Sequence, residues 1–483
     1  MKIKILIIIL LGAFMFMSCH EDLNVAQVSQ FTSLSMWTSE NDAESAVNGI
    51  YSQLRSTLSV SLPEYGDYRA SLYGGGMMSI TDYDKMSQNI ITRDMAGTNW
   101  SAFYTTINEC NLIIKHVPDI DFNSEDDKNE VLANAYFVRA LCYFYIARIW
   151  GDAPILISGF ESDDQDDLFP TRQPASKVYE LVESDLKLAG NLIPASITEL
   201  HKASPAAINM LKADYFLWKA KHLNNKTNTL NAAKTAIDDV LSSSHILASD
   251  FSDIFGIANE NNSELIFSFY YERTEYTGGY PSYYLAPEQY LEDKNIANNP
   301  VPIGSHQQYV SITNDYEAFI TSEPLDTRTN TSFMTYQDGS TRWRWINKYV
   351  GEWISETRYF SSDIIIYRLA EAILFKAEVE NALNNTPAAI TYLNMIAKRA
   401  YGVDNYYLTT LSKSEVDNKI IDETLKEFVG EGKSWWTMVR FGVAFNRIAS
   451  LNGRENETNI LLWPVASSCI NTNPNIKQTE GYN

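Results

Sequence analysis

The chain has little of what would staple, span or catalyse. Of 483 residues only four are cysteine and six histidine, and 38 basic side chains stand against 60 acidic ones. Cys19, Cys110, Cys142 and Cys469 form neither a disulfide framework nor a zinc pattern, and apolar packing is the role expected of the last three. His20, His116, His201, His222, His245 and His306 give no metal spacing and no nucleophile pair. The deficit of positive charge excludes nucleic acid as a partner, because phosphate binding needs a basic surface that releases counterions. It also excludes a polybasic membrane patch. No second long apolar run follows residue 17, and no Pro/Gly/Ser-rich linker divides the chain. One large body, or two intimately packed parts, is the expectation.

What is present begins with Lys2 and Lys4, an apolar run from Ile5 to Met17, and Ser18-Cys19. This order reads as a secretory signal over residues 1–18, too short to span a bilayer comfortably and removed at a small-residue site. Its removal takes away two lysines and no acid, so 36 basic side chains remain against 60 acidic. Aromatic residues are abundant, with 29 Tyr, 21 Phe and 10 Trp. On loops they supply what flat sugar rings need, an apolar face edged with hydrogen-bonding groups.

Helical periodicity recurs along the chain. Ser39 caps a helix carrying Ala43, Ala46, Val47, Ile50, Tyr51 and Leu54. A second runs from about Asn99 to Val117-Pro118, where proline stops it. A third, capped by Ser124, lasts to Gly151. Further helices are predicted over 175–191, 205–223 and 227–243, with Ser204-Pro205 as a cap followed by proline. Between about 250 and 360 short β-like runs such as Glu264 to Phe269 alternate with long irregular stretches, which in compact domains are usually functional. Helices return at 361–383, 387–400 and 413–445, and 462–483 reads as extended. The fold class expected is mostly α with minor β, built of degenerate tetratricopeptide-like helical pairs.

Several segments together resemble the SusD/RagB family of outer-membrane nutrient-binding lipoproteins. They are Asn134 to Phe144 followed by Trp150-Gly151-Asp152-Ala153-Pro154; Asp326-Thr327-Arg328; Tyr367 to Ala372 with Lys376-Ala377-Glu378; Tyr392 to Ala400; Glu427 to Gly432 with Arg440; and a tail with Trp463-Pro464, Asn473-Pro474, Gln478 and Gly481-Tyr482. Thr424, Ser434 and Thr437 depart from the family pattern where ion-pairing residues are usual. The resemblance implies a superhelical scaffold with a loop-rich ligand-binding face, an N-terminal part over about 19–225 and a C-terminal part over about 260–483. It implies a lid on a SusC-type TonB-dependent β-barrel transporter, delivering a glycan and making or breaking no bond. Cys19 resembles a lipobox cysteine, with Phe16 where leucine is usual. Its acyl chains would anchor the protein to the outer membrane, and Glu21-Asp22 resemble an export tag for the outer face. About twenty residues separate Cys19 from Ser39, reach enough for a lid to swing while attached.

Ligand-binding candidates fall in three groups. The first is Asp67, Arg69, Tyr73 and Tyr83, between the first two helices, a region on which family ligand sites draw. The second is Tyr280, Tyr283 and Tyr284, around Gly278-Gly279 and Pro281. The third is Trp343 and Trp345, which share one face if 341–346 is a strand and then either stack on two sugar rings or pack on the scaffold. Trp100, Trp435 and Trp436 read as structural. A peptide ligand on the same fold is the alternative. A lipid-anchored glycosidase would need paired acids such as Asp163-Asp164 or Asp166-Asp167, which in so acidic a loop read as solvated charge. Oxygen ligands for Ca²⁺ are plentiful there without the loop pattern of a known site. No catalytic residue, metal or cofactor is expected.

Overall fold

A computed structural model describes residues 36–76, 82–166, 168–222, 227–275, 277–279, 283–294, 299–304, 308–355 and 357–482, with only the backbone of His222. The leader, Cys19 and Tyr280 lie outside these residues. The first helices are α1 (Glu40–Leu58), α2 (Ser61–Gly66), α3 (Asp82–Ser87), α4 (Ser101–His116), α5 (Glu125–Trp150), α6 (Ala175–Leu192), α7 (Pro205–His222) and α8 (Thr227–Leu241). The later ones are α9 (Asn314–Ile320), α10 (Thr329–Ser332), α11 (Leu369–Ala382), α12 (Thr386–Tyr401), α13 (Lys413–Glu427), α14 (Ser434–Arg440), α15 (Ala444–Arg447) and α16 (Ser467–Thr472).

Local chemistry sets several of these boundaries. The Ser39 hydroxyl accepts from the Asp42 amide at the start of α1, and Ser124 accepts from Asp126 at the start of α5. The α5 helix ends at Gly151, whose φ of 73° only glycine adopts without strain. Ser204 accepts from the Ala207 amide, with Pro205 in the first helical position. The helices pack as pairs, α5 with α6, α7 with α8 and α11 with α12. Most of α5 and nearly all of α11 are buried on every side, as inner helices must be, whereas α6 and α8 bury one stripe each. The result is the mostly α scaffold expected.

Among the described residues the strands are short and every sheet has two. They are β1 (Tyr73–Gly75), β2 (Leu265–Phe269), β3 (Ala286–Pro287), β4 (Ile303–Gly304), β5 (Val310–Ile312), β6 (Phe333–Asp338), β7 (Thr341–Ile346), β8 (Glu352–Ile354), β9 (Thr357–Tyr359) and β10 (Ile364–Arg368). Three boundaries differ from the sequence expectation. The segment expected as one helix from 361 begins as β10, antiparallel to β2 and wholly buried, because Ile364-Ile365-Ile366 is a β-branched run that suits a buried strand. The segment 413–445 is broken into α13, α14 and α15. Gly430 and Gly432 there have φ of 72° and 73°, and a Cβ on Gly66 would lie 1.8 Å from the Gly432 carbonyl oxygen. Finally, the tail contains the short helix α16 rather than extended chain throughout.

One large hydrophobic core includes residues from both ends of the chain. Trp150 of α5, for example, donates its indole N–H to the Pro464 carbonyl at 3.1 Å. A smaller cluster gathers Leu285, Ala286, Leu291, Val301, Trp343, Trp345 and Phe360. Between β10, α12 and α13 lies a dense set of buried charges. Arg368 meets Glu264 at 2.9 Å, Glu427 at 2.5 Å and Glu431 at 2.9 Å. Arg328 meets Asp326, Glu423 and Glu427, Arg399 meets Glu264 and Glu427, and Lys348 meets Glu431. Burial alone would push the Glu427 carboxyl up, but Arg399, Arg368 and Arg328 outweigh it and hold it far below the usual range. Thr424 and Thr437 do not join this set. Each hydroxyl donates to the carbonyl one helical turn before it.

Candidate ligand-binding face

Tyrosines from four separate segments meet in two layers beside β1 and β5. The lower layer is Tyr68, Tyr73, Tyr284 and Tyr316, all fully buried. Their rings contact edge to face, with centroids 5.5 to 6.3 Å apart. Tyr73 accepts at its hydroxyl from the Gly430 amide at 2.8 Å, and Tyr316 donates to the Leu425 carbonyl at 2.7 Å. The upper layer is Tyr83, Tyr283 and Tyr309, each half-buried. Their centroids are 5.6 Å apart for Tyr83 and Tyr283, 5.8 Å for Tyr83 and Tyr309, and 5.3 Å for Tyr283 and Tyr309.

Backbone pairing sets this upper triangle. The Tyr309 amide donates to the Tyr283 carbonyl at 2.9 Å, and the Tyr309 carbonyl accepts from the Gly76 amide at 3.0 Å. That close approach requires glycine, since a Cβ on Gly76 would lie 2.3 Å from the Gln308 carbonyl oxygen. The Gln308 side chain donates to the carbonyls of Tyr284 and Arg344, at 2.8 Å each, tying the face to β7. Tyr83 rests edge-on over Tyr68 at 5.5 Å, and its hydroxyl is hydrogen-bonded to the buried Glu64 carboxyl. Burial raises the Glu64 carboxyl to about 7, against the hydrogen bonds from Tyr83 and Ser61. Burial also pushes the Tyr83 and Tyr283 hydroxyls above their ordinary value. They therefore stay neutral at physiological pH and can donate as well as accept.

The nine sequence candidates divide by burial. Tyr83 and Tyr283 stand on the half-open face, while Tyr280 lies outside the described residues. The other six point inward. Asp67 accepts from the Gly432 amide at 2.8 Å and the Ser434 amide at 3.1 Å, capping the turn into α14. Burial moves its carboxyl up to about 6, although both amides oppose the shift. Arg69 donates to Asn89 and to the carbonyls of Ile460, Leu461 and Leu462, and stacks 4.3 Å from the Trp435 ring. It is a clamp on the C-terminal segment, with its donors committed.

Trp343 and Trp345 do share one face of β7, but they are 1% and 3% exposed in the smaller apolar cluster. The other face of β7 carries Arg342 and Arg344, both paired with Glu317. The tryptophan pair is thus packed beneath Leu285, Leu291 and Val301. Trp100, Trp435 and Trp436 are buried, as structural residues should be. Sequence reasoning missed Tyr309. Its signal was alternation, because Val310 and Ile312 point inward along β5 and Tyr309 and Ser311 do not.

Such a face can do one thing well. Three rings edged with hydroxyls remove apolar C–H surface from water while offering polar partners at the rim. No group of three or more His, Cys, Asp and Glu among the described residues is arranged to hold a metal.

Comparison with known proteins matches residues 269–482 to the model described as the SusD family. Residues 32–213 match one described as starch-binding, associating with the outer membrane. A SusD-like protein of Formosa agariphila is 24% identical over 100% of this chain and 99% of its own length. The starch-binding protein SusD of Bacteroides thetaiotaomicron is 30% identical over a shorter stretch, 30% of this chain and 27% of that protein. Among solved structures, Bacteroides fragilis NanU superposes with a TM-score of 0.82 at 24% identity, covering 95% of this chain and 100% of that one.

Proposed function

Because the chain belongs to the SusD family, we propose that it is a lipid-anchored outer-membrane protein that captures a glycan on the Tyr83, Tyr283 and Tyr309 face. It hands that glycan to a SusC-type TonB-dependent β-barrel. Capture, on this reading, involves no covalent step. The observation that carries the reading is the two-layer tyrosine cluster. A buried lower layer holds three half-exposed rings at spacings of 5.3 to 5.8 Å, which gathers ring surface from separate segments at one place. Sites of this kind are shallow and bind weakly one at a time. A lid and a barrel that enclose the ligand together raise its effective concentration, so weak capture is sufficient.

The anchor is Cys19. No helix among the described residues is long and apolar enough to cross a membrane, and acyl chains on Cys19 would supply the attachment. Replacing Cys19 by Ala should release a soluble protein with unchanged glycan binding. Continued membrane association in cells lacking the barrel would count against the anchor. For the ligand, calorimetry against glycans and oligopeptides should give heat only with a glycan, and Tyr283→Ala should weaken it at least tenfold. Binding of oligopeptides alone would replace the ligand class and keep the fold.

A further inference from the structure

A separate groove of about 440 Å³ lies between α4, the segments 153–166 and 168–170, and the C-terminal segment carrying α16. The α4 helix turns Phe103, Ile107 and Cys110 into the core and leaves Tyr104, Asn108 and Glu109 toward the loop. The walls are pinned. Tyr104 donates to the Pro154 carbonyl at 2.8 Å, Asn108 exchanges hydrogen bonds with the Phe160 backbone, and Asn473 donates to the Pro170 carbonyl at 2.8 Å. The groove is therefore formed before anything enters it.

Trp100, Tyr104, Leu156, Leu168 and Ile476 supply the apolar part of the lining, hydroxyl and amide side chains supply much of the rest, and Glu109 is its one carboxyl. Glu109 is half-buried, and among the described residues it meets no hydrogen-bond donor and no cation. The guanidinium of Arg172 lies 5.7 Å from the Trp100 ring. Its donors are committed to the Asp152, Trp150 and Lys477 carbonyls and to Thr479. Burial raises the Glu109 carboxyl to about 7, as expected of a carboxyl lacking a positive neighbour. The loop adds exposed Ile157 and Phe169, 58% and 54% accessible, and the exposed acids Asp163, Asp164 and Asp166.

We propose that this groove is a second binding site, for a small molecule carrying a protonated primary amine on an apolar or ring-shaped body. The walls take the body out of water. The half-buried Tyr104 adds ring contact for the body, and Glu109 completes a charge-assisted hydrogen bond. The loop acids concentrate cations at the entrance. A neutral ligand of the same shape would cover Glu109 without pairing it, so the site selects for charge. None of this depends on the tyrosine face.

The test is calorimetry on the full chain with benzylamine and with benzyl alcohol, its neutral counterpart. Benzylamine should bind at least tenfold more tightly, and Glu109→Gln should abolish the preference in a protein whose far-UV circular dichroism is unchanged. Tyr283→Ala should leave the preference intact. Leu168→Trp, which adds bulk to the groove and keeps the carboxyl, should block the amine in a folded protein. Titrating glucosamine and Nα-acetyl-lysine amide then separates an amino sugar from a peptide side chain as the source of the amine. Equal binding of amine and alcohol, binding of neither, or a preference that survives Glu109→Gln overturns the site.

Discussion

The buried ion cluster around Arg368 and the tyrosine face around Tyr83 draw on distant parts of one chain, yet they end in opposite states. In the first, four cationic side chains and their carboxylates are sealed from solvent. In the second, a sealed lower layer supports an upper layer left half-open. The closed region ties its segments together, because a charge left unpaired there is expensive. The open region keeps ring surface for something outside the protein. The difference predicts that substitutions in the first cost stability and those in the second cost binding.

The largest effect should come from Arg368→Met. Removing one guanidinium leaves Glu264, Glu427 and Glu431 short of their partner, and breaking such a buried set costs about 3–5 kcal/mol. Chemical denaturation should show a lower midpoint at unchanged slope. The cluster also sets an acid limit. Glu427 is depressed in the folded state, so the stability it contributes is present above its ordinary pKa near 4.5 and is lost as pH falls below that value.

Trp345→Ala should follow, at about 3 kcal/mol, since it empties a large part of the smaller apolar cluster. The more conservative Trp345→Phe should lose less stability and leave glycan binding at wild-type strength, which separates a foundation from a contact.

Glu64→Gln tests the link between the buried and open layers. The folded-state pKa of Glu64 is raised to about 7 from an ordinary value of 4.5. The unfolded chain therefore binds fewer protons between these values, and the contribution of Glu64 falls as pH rises through that window. Glutamine has no such cost, so at pH 8 the variant should gain on the order of 2–3 kcal/mol over the wild type, relative to their difference at pH 4. Parallel denaturation curves at the two pH values measure it.

The smallest stability effect belongs to Tyr309→Ala. Its ring is half-exposed and its structural work is done by its backbone, so the loss should stay within about 1 kcal/mol, while glycan affinity should drop at least tenfold. A large stability loss without loss of binding would reverse the comparison.

The closed region was the more legible in the sequence. Asp326, Arg328, Arg368, Arg399, Glu427 and Glu431 all sit in segments that resemble the family, and these segments converge on one cluster. Helix starts were legible too, because Ser39, Ser124 and Ser204-Pro205 act locally through their own side chains. Faces were not. Alternation places Trp343 and Trp345 on the same side of β7, but which side is buried depends on Leu285, Leu291 and Val301 packed against it. Asp67 and Arg69 look like polar binding groups until Gly432 and the 460–462 carbonyls arrive from several hundred residues away. Ile364-Ile365-Ile366 is compatible with helix or strand until β2 supplies the partner.

The most direct test of the division between closed and open regions is a glycan array probed with the labelled wild-type chain and with the triple variant Tyr83→Ala, Tyr283→Ala and Tyr309→Ala. A glycan bound by the wild type should be lost in the triple variant, whose far-UV circular dichroism remains unchanged. Retention of that glycan at wild-type intensity by the folded variant would contradict the tyrosine face as the site of capture.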